Sequence, residues 1–168
     1  MIMKKILVAI FIFVSLYSDS QVWSDKMYGL DSLWNDGGVP QVNQIYNYND
    51  SVMYFVGSFF HINDHESNCI AAWNTHDILT FDDGVEWGPI HTIISYHDSI
   101  YIGGDFQSAS SAVNTRHFAI WNGEGWQSTN IGQVTSSVYD FCTIRDTLYM
   151  AGNFEHIGPL TCIKIAAY

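Results

Sequence analysis

The densest polar cluster in the chain is His61-Ile-Asn63-Asp64-His65-Glu66, two histidines four residues apart with two carboxylates beside them. On a helix that spacing would put both imidazoles on one face, where a divalent metal could take them with Asp64 and Glu66 as oxygen ligands. The stretch reads as a loop, however, and Phe59-Phe60-His61-Ile62 returns later as Phe154-Glu155-His156-Ile157. A histidine that returns with a repeat is expected to serve the fold, so no metal site is expected here. Asp82-Asp83-Gly84 with Glu86 suggests calcium by composition, but the spacing fits neither the twelve-residue helix–loop–helix pattern nor the glycine–aspartate nonapeptide. A turn accounts for it more simply. Glu86 and Asp105 could be picked out as a carboxylate pair for glycoside hydrolysis, yet nothing in the sequence sets them across a cleft. No Gly-x-Ser-x-Gly elbow, His-Glu-x-x-His or phosphate-cradling glycine loop occurs. The expectation is no catalytic, cofactor-binding or metal site, and a chain that is more readily a non-enzyme.

The elements that would position any chemistry are written three times. Asp50-Ser-Val-Met-Tyr54-Phe-Val-Gly57-Ser-Phe59 becomes Asp98-Ser-Ile-Tyr101-Ile-Gly-Gly104-Asp-Phe106 and then Asp146-Thr-Leu-Tyr149-Met-Ala-Gly152-Asn-Phe154, with a period of 47 and then 48 residues. A second anchor follows each Phe: Ile70-Ala-Ala-Trp73, Phe118-Ala-Ile-Trp121, Ile165-Ala-Ala-Tyr168. Turn residues cut each copy into strands. Opening strands are expected at Val42–Tyr48, Ile90–Tyr96 and Val138–Ile144, second strands at Met53–Phe59, Ile100–Phe106 and Leu148–Phe154, and third strands at Cys69–Trp73, Phe118–Trp121 and Lys164–Tyr168. Fourth strands follow at Ile78–Phe81 and, after Asn122-Gly-Glu-Gly125, at Trp126. Trp34, Phe81 and Trp126 read as one aromatic position with variable loop length. The glycine at 57, 104 and 152 lies inside a β-run, where a missing side chain marks a bulge or a close backbone approach. Asn49-Asp50, His97-Asp98 and Arg145-Asp146 are tight turns in which Asp can cap the backbone. Most of the ten tyrosines and six tryptophans sit at periodic positions and are expected in the core rather than stacked on sugars.

A period near 45–50 residues with several short strands per copy points to propeller blades. The expected fold is all-β: about three four-stranded antiparallel propeller-type blades, as a partial or self-associating β-propeller. The pattern Leu/Ile-Tyr-x-x-Gly-x-Phe followed by Ile/Phe-Ala-x-Trp-Asn-Gly-x-x-Trp resembles kelch-like β-propeller repeats, in particular the Leu-Tyr-x-Gly-Gly-x-Phe repeats of secreted bacterial surface proteins. The resemblance covers Trp23 to Tyr168. Copy two carries it most fully, and copies one and three lack the double glycine. It implies the fold and little about function. The copper-radical oxidases that share this fold need a Tyr–Cys cross-link, and no motif places one on Tyr139, Cys142 or elsewhere.

Residues 1–20 read as a signal peptide: Lys4 and Lys5, the apolar run Ile6 to Leu16, and Ser18 and Ser20 before a cut at Gln21. Residues 21–168 are then the repeat region. The apolar run is too short to span a bilayer and no second run of membrane length follows. The expected location is therefore secreted or at the cell surface, with no membrane span after cleavage. Removing the signal takes the formal charge from −11 to −12, because Lys4, Lys5 and Asp19 leave with it. Such a chain repels nucleic acid. The three cysteines, Cys69, Cys142 and Cys162, form no disulfide framework; buried free thiols or one Cys142–Cys162 bridge remain open.

Strand counting gives a fourth-strand-like start (Trp23–Trp34) and a stop after strand three. Three readings follow: a piece of a longer propeller, which the mid-blade stop favours, a self-associating ring, or a small closed form. The expected function is an exported, non-catalytic module binding a protein or glycan, with no cofactor. Specificity is placed on the loops His61–Asn68, Gln107–Thr115 and Glu155–Leu160. The alternatives are a fragment of a carbohydrate-active lyase or hydrolase, and a structural repeat spacer.

Overall fold

The computed structural model describes Leu30–Asp31 and residues 39–168. The proposed signal segment, Trp23 and Trp34 lie outside the described residues. Within them the chain is all-β, and no helix is long and apolar enough to cross a membrane.

Three antiparallel sheets repeat along the chain. The first is built of Gln41–Asn49, Val52–Ser58, Ile70–Trp73 and Ile78–Leu79, in that order across the sheet. The second repeats it with Ile90–Tyr96, Ser99–Gly104, Phe118–Trp121 and Trp126–Gln127. The third has three strands, Val138–Ile144, Thr147–Gly152 and Ile165–Ala167. The second and third opening strands and the strand Phe118–Trp121 run as the sequence pattern requires, and the other main strands shift by one or two residues at their ends.

Side chains on alternate faces of each sheet fill separate cores, as a period of two dictates. One cluster joins the first and second sheets through Val56, Ile70, Ile90, Ile93, Ile102 and Phe106. Another joins the second and third through Tyr101, Phe118, Val138, Phe141, Leu148 and Met150. A third cluster, around Phe55, Phe59 and Ala71, lies on the other face of the first sheet.

The periodic glycine is where the strands come closest. A Cβ on Gly57, Gly104 or Gly152 would overlap the carbonyl oxygen of Gln41, Pro89 or Ser137 respectively, the residue one or two positions before each bulge in the neighbouring opening strand. The glycine N–H donates to the carbonyl of Cys69 (3.0 Å), His117 (3.1 Å) or Lys164 (3.0 Å). Those three residues have left-handed backbones at φ 74°, 64° and 68°, and their own N–H groups donate to Phe59, Phe106 and Phe154. The three phenyl rings are fully buried. In the second copy Gly103 adds a further close approach, since a Cβ there would overlap Val138 of the next sheet.

The turns divide into two kinds. His97-Asp98 and Arg145-Asp146 both have positive φ at two successive residues, the geometry that matches strand twist in a two-residue hairpin. Copy one is one residue longer between Asp50 and Tyr54, and there Asn49, not Asp50, caps the turn by accepting from the Ser51 and Val52 N–H groups. Asn74 and Asn122 cap the turns after the third strands of the first two sheets in the same way.

The aromatic position read from Phe81 and Trp126 is corrected by the pairing. Trp126 lies opposite Trp121, and Ile78 lies opposite Trp73, so Ile78 is the residue equivalent to Trp126. Phe81 instead packs into the same core as Trp126 and accepts its indole N–H at 3.2 Å.

Replacing Gly104 by Ala should lower the unfolding free energy by about 1–3 kcal/mol, the usual range for overpacking. Gly125→Ala, where the nearest atom to a new Cβ is Asp82 Oδ2 at 3.9 Å, should change it by less than about 0.5 kcal/mol. Urea unfolding of the two variants beside wild type checks the difference.

Candidate functional site

The close approach at each glycine forces a bulge. Pairing jumps from Val42 to Gln44, from Ile90 to Thr92 and from Val138 to Asp140, so Asn43, His91 and Tyr139 have no partner across the ladder. A bulge frees a side chain from the alternation of its strand and re-aims it. Here it does so at one repeat position in all three copies, 14, 13 and 13 residues before Gly57, Gly104 and Gly152.

The three bulges form a connected row. Asn43 donates through Nδ2 to the Ile90 carbonyl at 2.7 Å, next to His91. The His91 and Tyr139 rings lie 5.4 Å apart at 52°. His91 Nε2 meets Asp105 Oδ2 at 3.0 Å, and Ser137 Oγ donates to the other carboxylate oxygen. The row is accessible: the Tyr139 residue is 52% exposed, and the side chains of His91 and Asp105 are 25% and 43% exposed. Behind it, buried His117 holds the Gly104 carbonyl through Nδ1 at 3.2 Å.

Burial pushes the Asp105 carboxyl up, but the hydrogen bonds from Ser137 and His91, together with the nearby imidazoles, outweigh it. The net result holds Asp105 below the ordinary carboxylate range. For His117, burial dominates, with Arg116 adding to it against the Gly104 carbonyl and Asp105, and its pKa is lowered.

The order of the chain Ser137–Asp105–His91 matters for chemistry. The carboxylate stands between hydroxyl and imidazole, so His91 is not placed to take the serine proton as a nucleophile would need. What the row offers is an aromatic face, an imidazole and a carboxylate side by side.

The candidate residues read from the sequence fall elsewhere. His61 and His65 stand on the two strands of a small hairpin, His61 opposite Glu66 and His65 opposite Ile62, which sends their side chains to opposite faces. They cannot share a metal, and among the described residues no three His, Cys, Asp or Glu side chains gather as one would require. Asp82-Asp83-Gly84 is a turn closed by the Gly84 N–H on the Phe81 carbonyl at 2.8 Å. Glu86 accepts from the Ser108 hydroxyl, whereas Asp105 engages Ser137 and His91, so the two carboxylates serve different partners. Cys69, Cys142 and Cys162 are free thiols, which leaves no Cys142–Cys162 bridge, and only Cys69 is buried as expected, Cys142 being exposed and Cys162 partly so.

The variable loops are partly scaffold. Each pairs with the segment that leads into its own repeat: Leu30–Asp31 with His61–Ile62, Val85–Glu86 with Ser108–Ala109, and Val134 with Ile157. Ile62, Ala109 and Ile157 are consequently buried at one equivalent position, as are Ser67 and Thr115. His61 and His156 both open the short strands of these ribbons, where the second copy has Ser108. The row of bulges was missed because Asn, His and Tyr share no chemical type; only their spacing of 13 or 14 residues from the periodic glycine could have pointed to them.

Comparison with known protein families, with curated proteins and with solved structures finds no match to this chain.

Stability should fall in two steps as pH decreases. A lowered pKa means the group contributes stability above its unfolded value and loses it as pH falls through the folded one. For His117 that loss begins below about 6.5, and for Asp105 below about 3.8. Thermal melts across pH should show His117→Gln flattening the first step and Asp105→Asn flattening the second.

Proposed function

We propose that this chain is an exported, non-catalytic binding module whose three sheets are blades of the β-propeller type, and that it recognises a glycan along the row Asn43, His91 and Tyr139. The observation that carries this reading is the alignment of three bulged side chains on neighbouring opening strands, beside a carboxylate already fixed by Ser137. Sugar recognition needs an apolar ring face to cover the C–H face of a pyranose and oriented donors and acceptors for its hydroxyls. Tyr139 supplies the first. His91 and Asp105 supply the second, held by each other at 3.0 Å. The repeat pattern and its resemblance to kelch-like repeats support the propeller-type architecture. The leader-like residues 1–20 support export, and the acidic charge of −11 disfavours nucleic acid as a ligand.

This reading moves specificity from the loops to the bulges. The roots of His61–Asn68 hold Ile62 and Ser67 in the core, so exchanging that loop for Gly/Ser should cost stability before it tests binding. The bulge residues are better targets, since each can be cut back without opening a ladder.

The experiment is a glycan array followed by titration calorimetry on the best ligand. Tyr139→Ala and His91→Ala should each weaken binding about tenfold, equivalent to about 1.4 kcal/mol, with the melting temperature unchanged in Tyr139→Ala. A protein that takes no glycan, or one whose affinity ignores both changes, would rule this site out.

A further inference from the structure

The polar groups along the row of bulges are acceptors on their open side. His91 turns Nε2 to Asp105 Oδ2 at 3.0 Å, so that nitrogen carries the ring hydrogen and Nδ1 of the neutral imidazole accepts. Asn43 turns its amide nitrogen to the Ile90 carbonyl at 2.7 Å, which leaves Oδ1 as its acceptor. Asp105 takes one hydrogen bond on each oxygen, from Ser137 and from His91. An ionised carboxylate has about four lone-pair sites, so roughly two stay open on a side chain 43% exposed. A ligand that brings donors suits this surface better than one that brings acceptors.

Charge narrows the choice of donor. Asp105 is ionised through the neutral range, its carboxyl lying below the ordinary one. No described lysine or arginine forms an ion pair with it. Across the chain 17 Asp and Glu stand against 6 Lys and Arg, so the local carboxylate and the overall charge act in the same direction. Both attract cations and repel glycans that carry uronate, sulfate or phosphate groups. Tyr139 adds a ring 52% exposed, whose face attracts an ammonium as well as covering a sugar.

The third copy shows what this position holds when the chain supplies its own cation. Asn153 follows Gly152 as Asp105 follows Gly104. Lys164 Nζ donates to Asn153 Oδ1 at 2.7 Å and to the Asn153 carbonyl oxygen at 3.1 Å. Lys164 stands in the left-handed position that the second copy gives to His117. His117 is buried and turns Nδ1 to the Gly104 carbonyl at 3.2 Å, so it brings no ammonium to Asp105. The second copy thus combines the stronger acceptor, a full carboxylate, with no lysine from its own repeat.

We propose that the glycan taken at this row is an amino sugar with a free amine, its ammonium on Asp105 where Lys164 lies on Asn153, and its ring beside Tyr139. This rests on the glycan reading above and names its ligand class. An ammonium presents three donors and no acceptor, the complement of what Asn43, His91 and Asp105 offer. N-acetylation of the same nitrogen removes the charge and two of the three donors.

Titration calorimetry on the full chain tests this with pairs of oligosaccharides of one skeleton, glucosamine against N-acetylglucosamine and galactosamine against N-acetylgalactosamine. Buffers of low salt, at a pH where the amines are charged, are used first. The free-amine member of a pair should bind at least about tenfold tighter, and the gap should narrow as salt rises. Asp105→Asn should bring the two members within about threefold of each other. His117→Lys gives the second copy the lysine of the third, and should weaken the free-amine oligomer about tenfold while sparing the acetylated one. Acetylated members that bind as tightly as their partners, or a preference that survives both substitutions, would overturn the inference and leave the glycan reading standing. Binding of neither member, with another glycan bound on the array, would do the same, whereas no glycan bound at all removes both. A short lysine peptide that binds as tightly as the free-amine oligomer would overturn it in favour of a basic peptide.

Discussion

Each repeat is organised around one backbone contact. The glycine at 57, 104 or 152 lets a neighbouring carbonyl enter the space that a Cβ would fill, and its N–H reaches a residue held in the left-handed region. That residue in turn donates to the carbonyl of a buried Phe, so strand two, the loop and strand three are fixed together by hydrogen bonds. The left-handed position is taken by Cys69, His117 and Lys164, none of them glycine, although such a backbone is disfavoured for L-residues. Two backbone hydrogen bonds and a buried phenyl hold it there in every copy. The constraint is on backbone geometry, which is why three dissimilar side chains can occupy one place.

This explains what could and could not be read from the residues. The glycine and the Phe were visible because only one residue type satisfies each: no other side chain fits at Gly104, and a large apolar ring is needed at Phe106. The strands were visible for the same reason, since apolar residues at Ile90, Ile93 and Ile94 must alternate to suit two cores. The left-handed residue was hidden, because its role is performed by the main chain. So were Asn43, His91 and Tyr139, whose side chains leave the ladder at a bulge and obey no hydrophobic period. The fourth-strand position was misread for a different reason. Aromatic type suggested Phe81 as the equivalent of Trp126, whereas strand pairing assigns Ile78, and an aliphatic residue fills the same seat.

Packing gives the array a direction. The second sheet presents one set of apolar residues to the sheet before it and another to the sheet after, and the two sets differ. Ile90, Ile93 and Ile102 look backward; Tyr101, Phe118 and Ile120 look forward. An interface between unlike faces is heterologous: it repeats by rotation, closing into a ring or continuing as a filament according to the angle per step. The side-chain bonds between opening strands strengthen this sense of direction. Gln44 both accepts from the Ile93 N–H and donates to its carbonyl, and Tyr46 meets Ser95 at 2.7 Å, so the first opening strand grips the second much as a ladder would. Among the described residues the outward faces of the first and third sheets are the exposed ones, with Val42 and Ile45 on one and Ile165 on the other.

The bulge links this framework to the proposed recognition of a glycan. The close approach at the glycine requires an extra residue in the opening strand, and that residue is released from both ladder and core. Its identity is then free: Asn43 ties itself to the next strand, His91 binds Asp105, and Tyr139 exposes its ring. Stability rests on the invariant half of the unit, while chemistry is concentrated on the half that stability leaves unspecified. A repeat built this way can vary its surface one copy at a time without disturbing the glycine contact beneath it. The third copy illustrates this: Tyr139 differs wholly from Asn43, yet the carbonyl next to Val138 still enters the space left by Gly152.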